Sequence, residues 1–244
     1  MELSEIKNKQ RPIAKTLEIL AILSIIITIL PTIEGNFLSG IWALVLLGIF
    51  LSLSFFFVSR MFASRAKKME GLRSGEKLLA HLEFDDKMLQ QYANTMREES
   101  KEKNNALMWI MGIMFTIITI PFLFFLEQDE IGGFLGIIGS IVFILFFFSR
   151  FMPDHYYRKN MKGDKQILIG EKYAYFNGYF HNWDFPLSGL TKIKPIKKPF
   201  YGIHLVYYYT DRTLRHDYEI KFPIPGDFDP ILIIEQMKKA NKLG

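Results

Sequence analysis

Four long apolar segments dominate the first 152 residues of the chain, and charged segments separate them. The hydrocarbon core of a bilayer is about 30 Å thick, so a spanning helix needs about 20 mainly apolar residues. The segments that reach this length are residues 13–33, 37–58, 107–126 and 131–148. The connections at 31–36 and 127–130 allow only tight turns. The pattern therefore predicts an α-helical membrane bundle of four transmembrane helices arranged as two hairpins.

The basic residues indicate how these helices are oriented. All 30 Lys and Arg residues lie before the first span, near its start, in the segment 59–105, or after residue 148. The two short connections carry only acidic charges, at Glu34, Glu127, Asp129 and Glu130. Because Lys and Arg are retained on the cytoplasmic side during insertion, we expect a multi-pass inner-membrane protein with both termini in the cytoplasm.

The segment 59–106 between the hairpins predicts a cytoplasmic helical connector. The helix of the second span should continue to about residue 70, break at 71–75, and be followed by a short strand at 78–84. Asp85 is a good N-cap for a helix with one apolar face, formed by Met88, Leu89, Tyr92 and Met96. This helix could bind the membrane surface or a partner, but its balanced charge favours a connector that packs on the C-terminal region.

The region 153–244 changes from apolar spans to the pattern of a β domain. Strands are predicted at residues 166–169, 173–176, 179–185, 190–196, 202–210 and 214–224. Asn177-Gly178 is a strong signal for a two-residue hairpin turn, and a second turn is expected at Asp211-Arg212. Asp229 and Pro230 open a terminal helix. We predict a cytoplasmic β-barrel-like domain capped by this helix, able to fold alone from about residue 162.

Several short segments carry a resemblance to a known family. They are residues 75–81 (GEKLLAH), 167–170 (ILIG), 175–178 (YFNG), 181–183 (HNW) and 220–225 (IKFPIP). They resemble an uncharacterised family of bacterial membrane proteins that combine transmembrane hairpins with a cytoplasmic domain similar to bacterial pleckstrin-homology and YcxB-like domains. The resemblance implies a pleckstrin-homology-like fold and membrane association, and it implies no activity. The domains expected are 1–58 and 107–152 for the hairpins, 59–106 for the connector and 153–244 for the β domain.

The residue types present narrow the chemistry further. The chain has no cysteine, which removes disulfides and thiolate sites. No phosphate-binding glycine loop or Gly-x-Ser-x-Gly motif occurs. His204 and His216 could form a metal site with Asp217 or Glu219 if their strands are adjacent, but exposed histidines are the simpler interpretation. The net charge of +5 suits an anionic membrane surface. We expect no catalytic site, cofactor, metal or nucleic-acid partner.

Two candidate sites remain. Lys192, Lys194, Lys197 and Lys198 form a basic stretch interrupted by prolines, which either contacts lipid headgroups or a partner, or is simply solvated. In the fourth span, Gly132, Gly136 and Ser140 recur every four residues and allow close approach of another helix. That row predicts a packing seam, within the bundle or between copies in a homo-oligomer.

The functional hypothesis follows from these features. A non-enzymatic membrane protein would present its β domain at the inner leaflet as a scaffold or sensor for a protein partner or anionic lipid. The alternative is a regulated small transporter or channel component. Of the ionisable residues, only Glu18 lies beyond the first few positions of a span, and it lies near the headgroups, three residues after Lys15. Because transport paths usually contain buried ionisable residues, the scaffold is the favoured hypothesis.

Overall fold

The computed structural model describes residues 3–35, 37–211 and 213–243. Arg212, in the predicted turn, lies outside the described residues. The helices are α1 (Gln10–Ile29), α2 (Trp42–Arg73), α3 (Asp86–Leu123), α4 (Gln128–Met161) and α5 (Ile231–Ala240). The strands are β1 (Ala80–Glu83), β2 (Gln166–Ile169), β3 (Tyr173–Phe176), β4 (Tyr179–Asn182), β5 (Ser188–Ile196), β6 (Gly202–Asp211) and β7 (Leu214–Pro223). Short 3-10 turns occupy Leu3–Glu5 and Leu30–Thr32.

Four helices are long and apolar enough to cross a membrane, as the sequence predicts. Three of them are much longer than a bilayer requires: α2 has 32 residues, α3 has 38 and α4 has 34. At a rise of 1.5 Å per residue, α3 is about 57 Å long, against a hydrocarbon core of about 30 Å. These helices therefore continue without a break from the apolar spans into the charged segments beside the sheets.

The helices pack mainly within two hairpins, α1 against α2 and α3 against α4. In the first hairpin the Ser59 hydroxyl donates to the carbonyl of Ala14 at 3.1 Å, and Gly48 lies so close to Thr28 that a side chain there would clash. In the second, the Arg97 guanidinium pairs with the Asp154 carboxylate at 2.6 Å. Each hairpin is thus held together on its own.

In the part of the chain that the structure describes, seven strands form two antiparallel sheets, with orders β1-β2-β3-β4 and β5-β6-β7. The turn between β3 and β4 has φ 47° at Asn177 and 93° at Gly178, the two positive values that a type I′ hairpin needs. Strand β1 comes from the connector, so α3 and α4 are inserted between two neighbouring strands of one sheet. The predicted barrel is not closed, because pairing in the described residues runs through two separate sheets. The two sheets and α5 together form the β unit.

The main core joins both sheets, α5 and the start of α3. Trp183 is 2% exposed, and its indole nitrogen donates to Asn241 at 3.1 Å. Phe84, Leu89 and Tyr92 bring the connector into the same core. The other buried members of this core are Ile167, Ile169, Ala174, Phe176, Leu190, Ile193, Phe200, Ile203, Leu205, Tyr207, Ile220, Phe222, Ile224, Ile233, Ile234 and Met237. Residues 162–244 alone therefore do not supply the whole core.

A second apolar cluster covers the opposite face of the four-stranded sheet. Met69 and Leu72, near the end of α2, pack there with Leu168 of β2 and with Ile6. Successive strand residues point to opposite faces, so Leu168 enters this cluster while Ile167 and Ile169 enter the main core. The first hairpin thus holds one face of the sheet and the second hairpin the other.

Candidate functional site

The four predicted lysines occupy one edge of the β unit. Lys192 and Lys194 lie on β5, and Lys197 and Lys198 follow in the connection to β6, so only the second pair belongs to a loop. All four are exposed, and none forms an ion pair with another residue in the described ranges. Ile193, between the first two, is buried in the core. Alternation along the strand therefore directs Lys192 and Lys194 into solvent.

The position of α3 shows how far Lys197 and Lys198 lie from the apolar spans. The side-chain amide of Gln91 donates to the carbonyl of Pro199, the next residue after Lys198, at 3.1 Å. Gln91 precedes Leu107, where the apolar span begins, by 16 residues, or about 24 Å along the helix axis. The headgroup layer of one leaflet is only about 5 to 8 Å thick. The backbone next to Lys197 and Lys198 therefore contacts α3 about 24 Å along its axis from the start of the apolar span, which is more than the thickness of a headgroup layer.

The glycine row on α4 has no neighbour in the single chain. Among the described residues, no atom outside the local backbone of α4 lies within 4 Å of a Cβ built at Gly132 or Gly136. The Ser140 hydroxyl donates to the carbonyl of Gly136 at 2.7 Å, within its own helix. Helix α3 contacts a different face, where Phe122 stacks on Phe134 at 5.8 Å. The row is therefore not a seam between α3 and α4, and packing between copies stays a prediction.

The structure also forms an aromatic cavity that the sequence did not suggest. Its volume is about 310 Å³. It lies between the parts of α3 and α4 beyond the apolar spans and strands β3, β4 and β7 of the β unit. Its lining comes from Tyr92, Met96, Ser100, Tyr156, Asn160, Phe176, Tyr179, His181, Tyr218, Glu219, Ile220 and Lys221. These residues belong to two helices and three strands far apart in the sequence, so no local motif could have identified them.

His181 is one of the strongly perturbed titratable groups of this cavity. Its Nδ1 atom lies 3.4 Å from the hydroxyl of Tyr207, and its ring lies 5.9 Å from that of Tyr218. Burial, with a smaller contribution from the positive charge of Arg65, lowers the pKa of His181 from 6.5 to about 4. Burial also raises the pKa of Tyr218. At neutral pH these groups are uncharged, so the cavity offers hydrogen bonds and aromatic faces.

A charged pair closes the edge of the cavity next to α3. The Lys221 ammonium on β7 lies 2.6 Å from the Glu99 carboxylate on α3. The two side chains join the edge strand of the β unit to the second hairpin. The cavity therefore lies at the junction between the membrane helices and the sheets.

The structure does not bring His204 and His216 together. His204 is paired in register with Lys221, and its Nε2 atom lies 2.8 Å from the Glu219 carboxylate. His216 is paired with Tyr209 and stacks on its ring at 5.2 Å. No group of three potential metal ligands occurs within the ranges that the structure describes. The two-histidine metal site considered from the sequence is therefore not assembled.

The fold and these surfaces define a class of protein: a multi-pass membrane protein with two helical hairpins joined to a small β unit. Comparison of the chain with protein-family models, with curated proteins and with solved structures finds no match.

Proposed function

We propose that the protein is a non-enzymatic scaffold or sensor of the inner membrane that presents its β unit to an acidic surface of a cytoplasmic protein. In this proposal both termini, the connector and the β unit are cytoplasmic, and the exposed lysines of β5 and the following connection contact the partner. The observation that carries it is the row of four exposed lysines, which form no ion pair with any described residue and whose far end contacts α3 about 24 Å along its axis from the start of the apolar span.

The order of elements supports a pleckstrin-homology-like β unit. Four antiparallel strands are followed by three more and then by a helix, whose Ile233, Ile234 and Met237 enter the main core. This order agrees with the family resemblance seen in the sequence. In this proposal the second hairpin is an insertion after the first strand of such a domain.

The links between the helices and the β unit support a scaffold in which a bound partner is held at a fixed position. The Arg65 guanidinium on α2 donates to the carbonyl of Phe180 at 2.7 Å. The Lys68 ammonium on the same helix lies 3.0 Å from the Asp184 carboxylate. Together with Leu89 and Tyr92 of α3, these contacts tie both hairpins to the β unit. Displacement of the β unit by a partner would then move both hairpins.

The position of the lysines favours a protein over a lipid. Electrostatic attraction to a membrane surface decays over a Debye length of about 8 Å at physiological salt. Lys197 and Lys198 lie well beyond that distance, since Pro199 contacts α3 at Gln91. A protein that approaches from the cytoplasm could contact all four lysines at once.

Charge reversal of the lysines tests this proposal. The full chain, carrying a tag, would be cross-linked in native membranes, and the linked proteins would be quantified by mass spectrometry. With Lys192, Lys194, Lys197 and Lys198 changed to Glu, we expect the amount of a specific set of linked proteins to fall at least about tenfold, because like charges at an interface repel.

A matched control changes four other exposed lysines to Glu, at positions 87, 162, 239 and 242. It alters the net charge of the chain by the same amount and should leave the linked proteins unchanged. Equal sets from the wild type and both variants would contradict the proposal. Loss of bound anionic lipid without loss of any protein would favour lipid as the ligand.

A further inference from the structure

A groove lies between α1 and α2, at the end of the first hairpin that is nearer the β unit. Its volume is about 390 Å³. Three small residues, Ala14, Ala63 and Ala66, line it, and three cations, Arg11, Lys15 and Lys67, surround them. Large side chains at the alanine positions would fill this space, so the sequence itself keeps the groove open.

Two hydrogen bonds fix the walls of the groove. The Ser59 hydroxyl on α2 donates to the carbonyl of Ala14 on α1 at 3.1 Å. Further from the span, the Asn8 amide donates to the carbonyl of Ala66 at 2.8 Å. Because one bond joins the two helices and the other joins the segment just before α1 to α2, the groove is preformed and needs little rearrangement to accept a ligand.

The charges around the groove leave an excess of cations. Arg11 and Lys15 are four residues apart, on one face of α1, and Lys67 faces them from α2. None of these three forms an ion pair with a residue that the structure describes.

Two carboxylates also line the groove, and they do not cancel this charge. Glu70 is paired with Arg73 at 2.9 Å and accepts from Asn8 at 3.4 Å. Glu18 lies about one helical turn deeper than Lys15, towards the apolar span. The three cations therefore face one uncompensated carboxylate.

The groove lies at the boundary of the membrane. The Ser59 to Ala14 bond marks the level at which the apolar run of α2 ends, since Val58 is its last residue before Ser59-Arg60. Lys67 lies beyond that level, whereas Lys15 and Glu18 lie at or inside it. Phospholipid phosphates occupy this layer, and basic pockets between membrane helices bind anionic headgroups.

We propose that this groove binds the phosphate of an anionic phospholipid from the leaflet on the β-unit side, with Arg11, Lys15 and Lys67 as its ligands. The lipid headgroup fills the space above the alanines, and its acyl chains follow the exposed apolar faces of α1 and α2. This site is separate from the lysines of the β unit, so its success or failure does not depend on the proposed partner.

Native mass spectrometry of the full chain in mild detergent tests the site. The probes are phosphatidylglycerol and phosphatidylcholine with the same acyl chains. With Arg11, Lys15 and Lys67 changed to Gln, bound phosphatidylglycerol should fall at least about tenfold, because each cation near the surface contributes about 1 kcal/mol. Phosphatidylcholine should change little. A control with Lys87, Lys162 and Lys239 changed to Gln removes the same charge elsewhere and should retain the preference.

Two more variants separate binding from folding. Ala63→Leu fills the groove without changing its charge and should also reduce bound phosphatidylglycerol. If the triple variant does not fold, Lys67→Gln alone should reduce it about fivefold, which corresponds to about 1 kcal/mol. Unchanged phosphatidylglycerol binding in any folded groove variant would overturn the proposal. Displacement of the lipid by an equal concentration of inorganic phosphate would also overturn it, because the site would then bind soluble phosphate.

Discussion

His181 shows how a single residue joins the parts of this protein. Its ring lies among Tyr207, Tyr218 and the aromatic cavity, while Arg65 of the first hairpin lies close enough to affect its pKa. Burial in this site favours the neutral ring. The sequence motif His-Asn-Trp drew attention to this position through a family resemblance, but its environment comes from distant residues that no local pattern reveals.

The lowered pKa of His181 makes stability depend on pH. Its pKa is about 4 in the folded chain against an ordinary value of 6.5, so the unfolded chain binds the proton more readily. The stabilisation is complete above pH 6.5 and is lost as the pH falls towards 4. Because of this residue, the free energy of unfolding should fall by up to about 1.4 kcal/mol per pH unit in that interval.

This dependence can be measured by denaturation of the detergent-solubilised chain at several pH values. His181→Phe should remove the contribution of this residue to the pH dependence, whatever its effect at pH 7. His216→Gln, at an exposed position, should leave the dependence unchanged. An identical pH profile for His181→Phe and the wild type would show that the ring is not held neutral by burial.

At the scale of helices and strands, local patterns predicted much of the structure. The four long apolar helices, the Asn177-Gly178 turn and the Asp85 cap are confirmed, and the Asp85 carboxylate accepts from the amide of Met88 at 2.7 Å. The apolar face of the connector helix is also confirmed, because Leu89 and Tyr92 are buried in the core. Pairing of β1 with β2 was not predicted, since these strands are separated by both helices of the second hairpin.

The candidate surfaces were also difficult to predict, because they depend on contacts between residues that are far apart in the sequence. The lysines were identified as exposed, but their distance from the membrane depends on the contact between Pro199 and Gln91, which are 108 residues apart. The groove between α1 and α2 likewise needs the register of two helices. Periodicity determines which face of an element is apolar, whereas it does not determine which distant element covers that face.

The shared core leads to a prediction about fragments. Residues 162–244 alone lack β1, Phe84, Leu89 and Tyr92, so we expect them to lack a cooperative unfolding transition, contrary to the expectation from the sequence. A chain in which residues 76–98 are joined to 158–244 by a flexible linker restores these groups and should unfold more cooperatively. Circular dichroism and limited proteolysis would distinguish the two. Cooperative unfolding of the shorter fragment with native-like protection would contradict this account of the core.

At the scale of the whole molecule, four long apolar helices are joined to the β unit among the described residues. Helix α2 extends from its apolar span to the second apolar cluster on the four-stranded sheet, and α3 extends from its span to the main core. Beyond the spans, α3 and α4 are joined by the ion pair between Arg97 and Asp154. Two ligands are proposed at different distances from the membrane: an anionic lipid in the groove between α1 and α2, and a protein at the four lysines of the β unit. Both depend on the β unit and the cationic segments lying on one side of the membrane, and the acidic connections on the other.

Cysteine accessibility measures that topology directly, because the natural chain has no cysteine and gives no background. Single cysteines would replace Glu34, Ser74, Gln128 and Lys198, which are all exposed. A membrane-impermeant maleimide added to intact cells should label positions 34 and 128. It should label positions 74 and 198 only after the inner membrane is opened, since basic segments are retained in the cytoplasm. Labelling of position 74 or 198 in intact cells, or protection of position 34 or 128, would contradict the account.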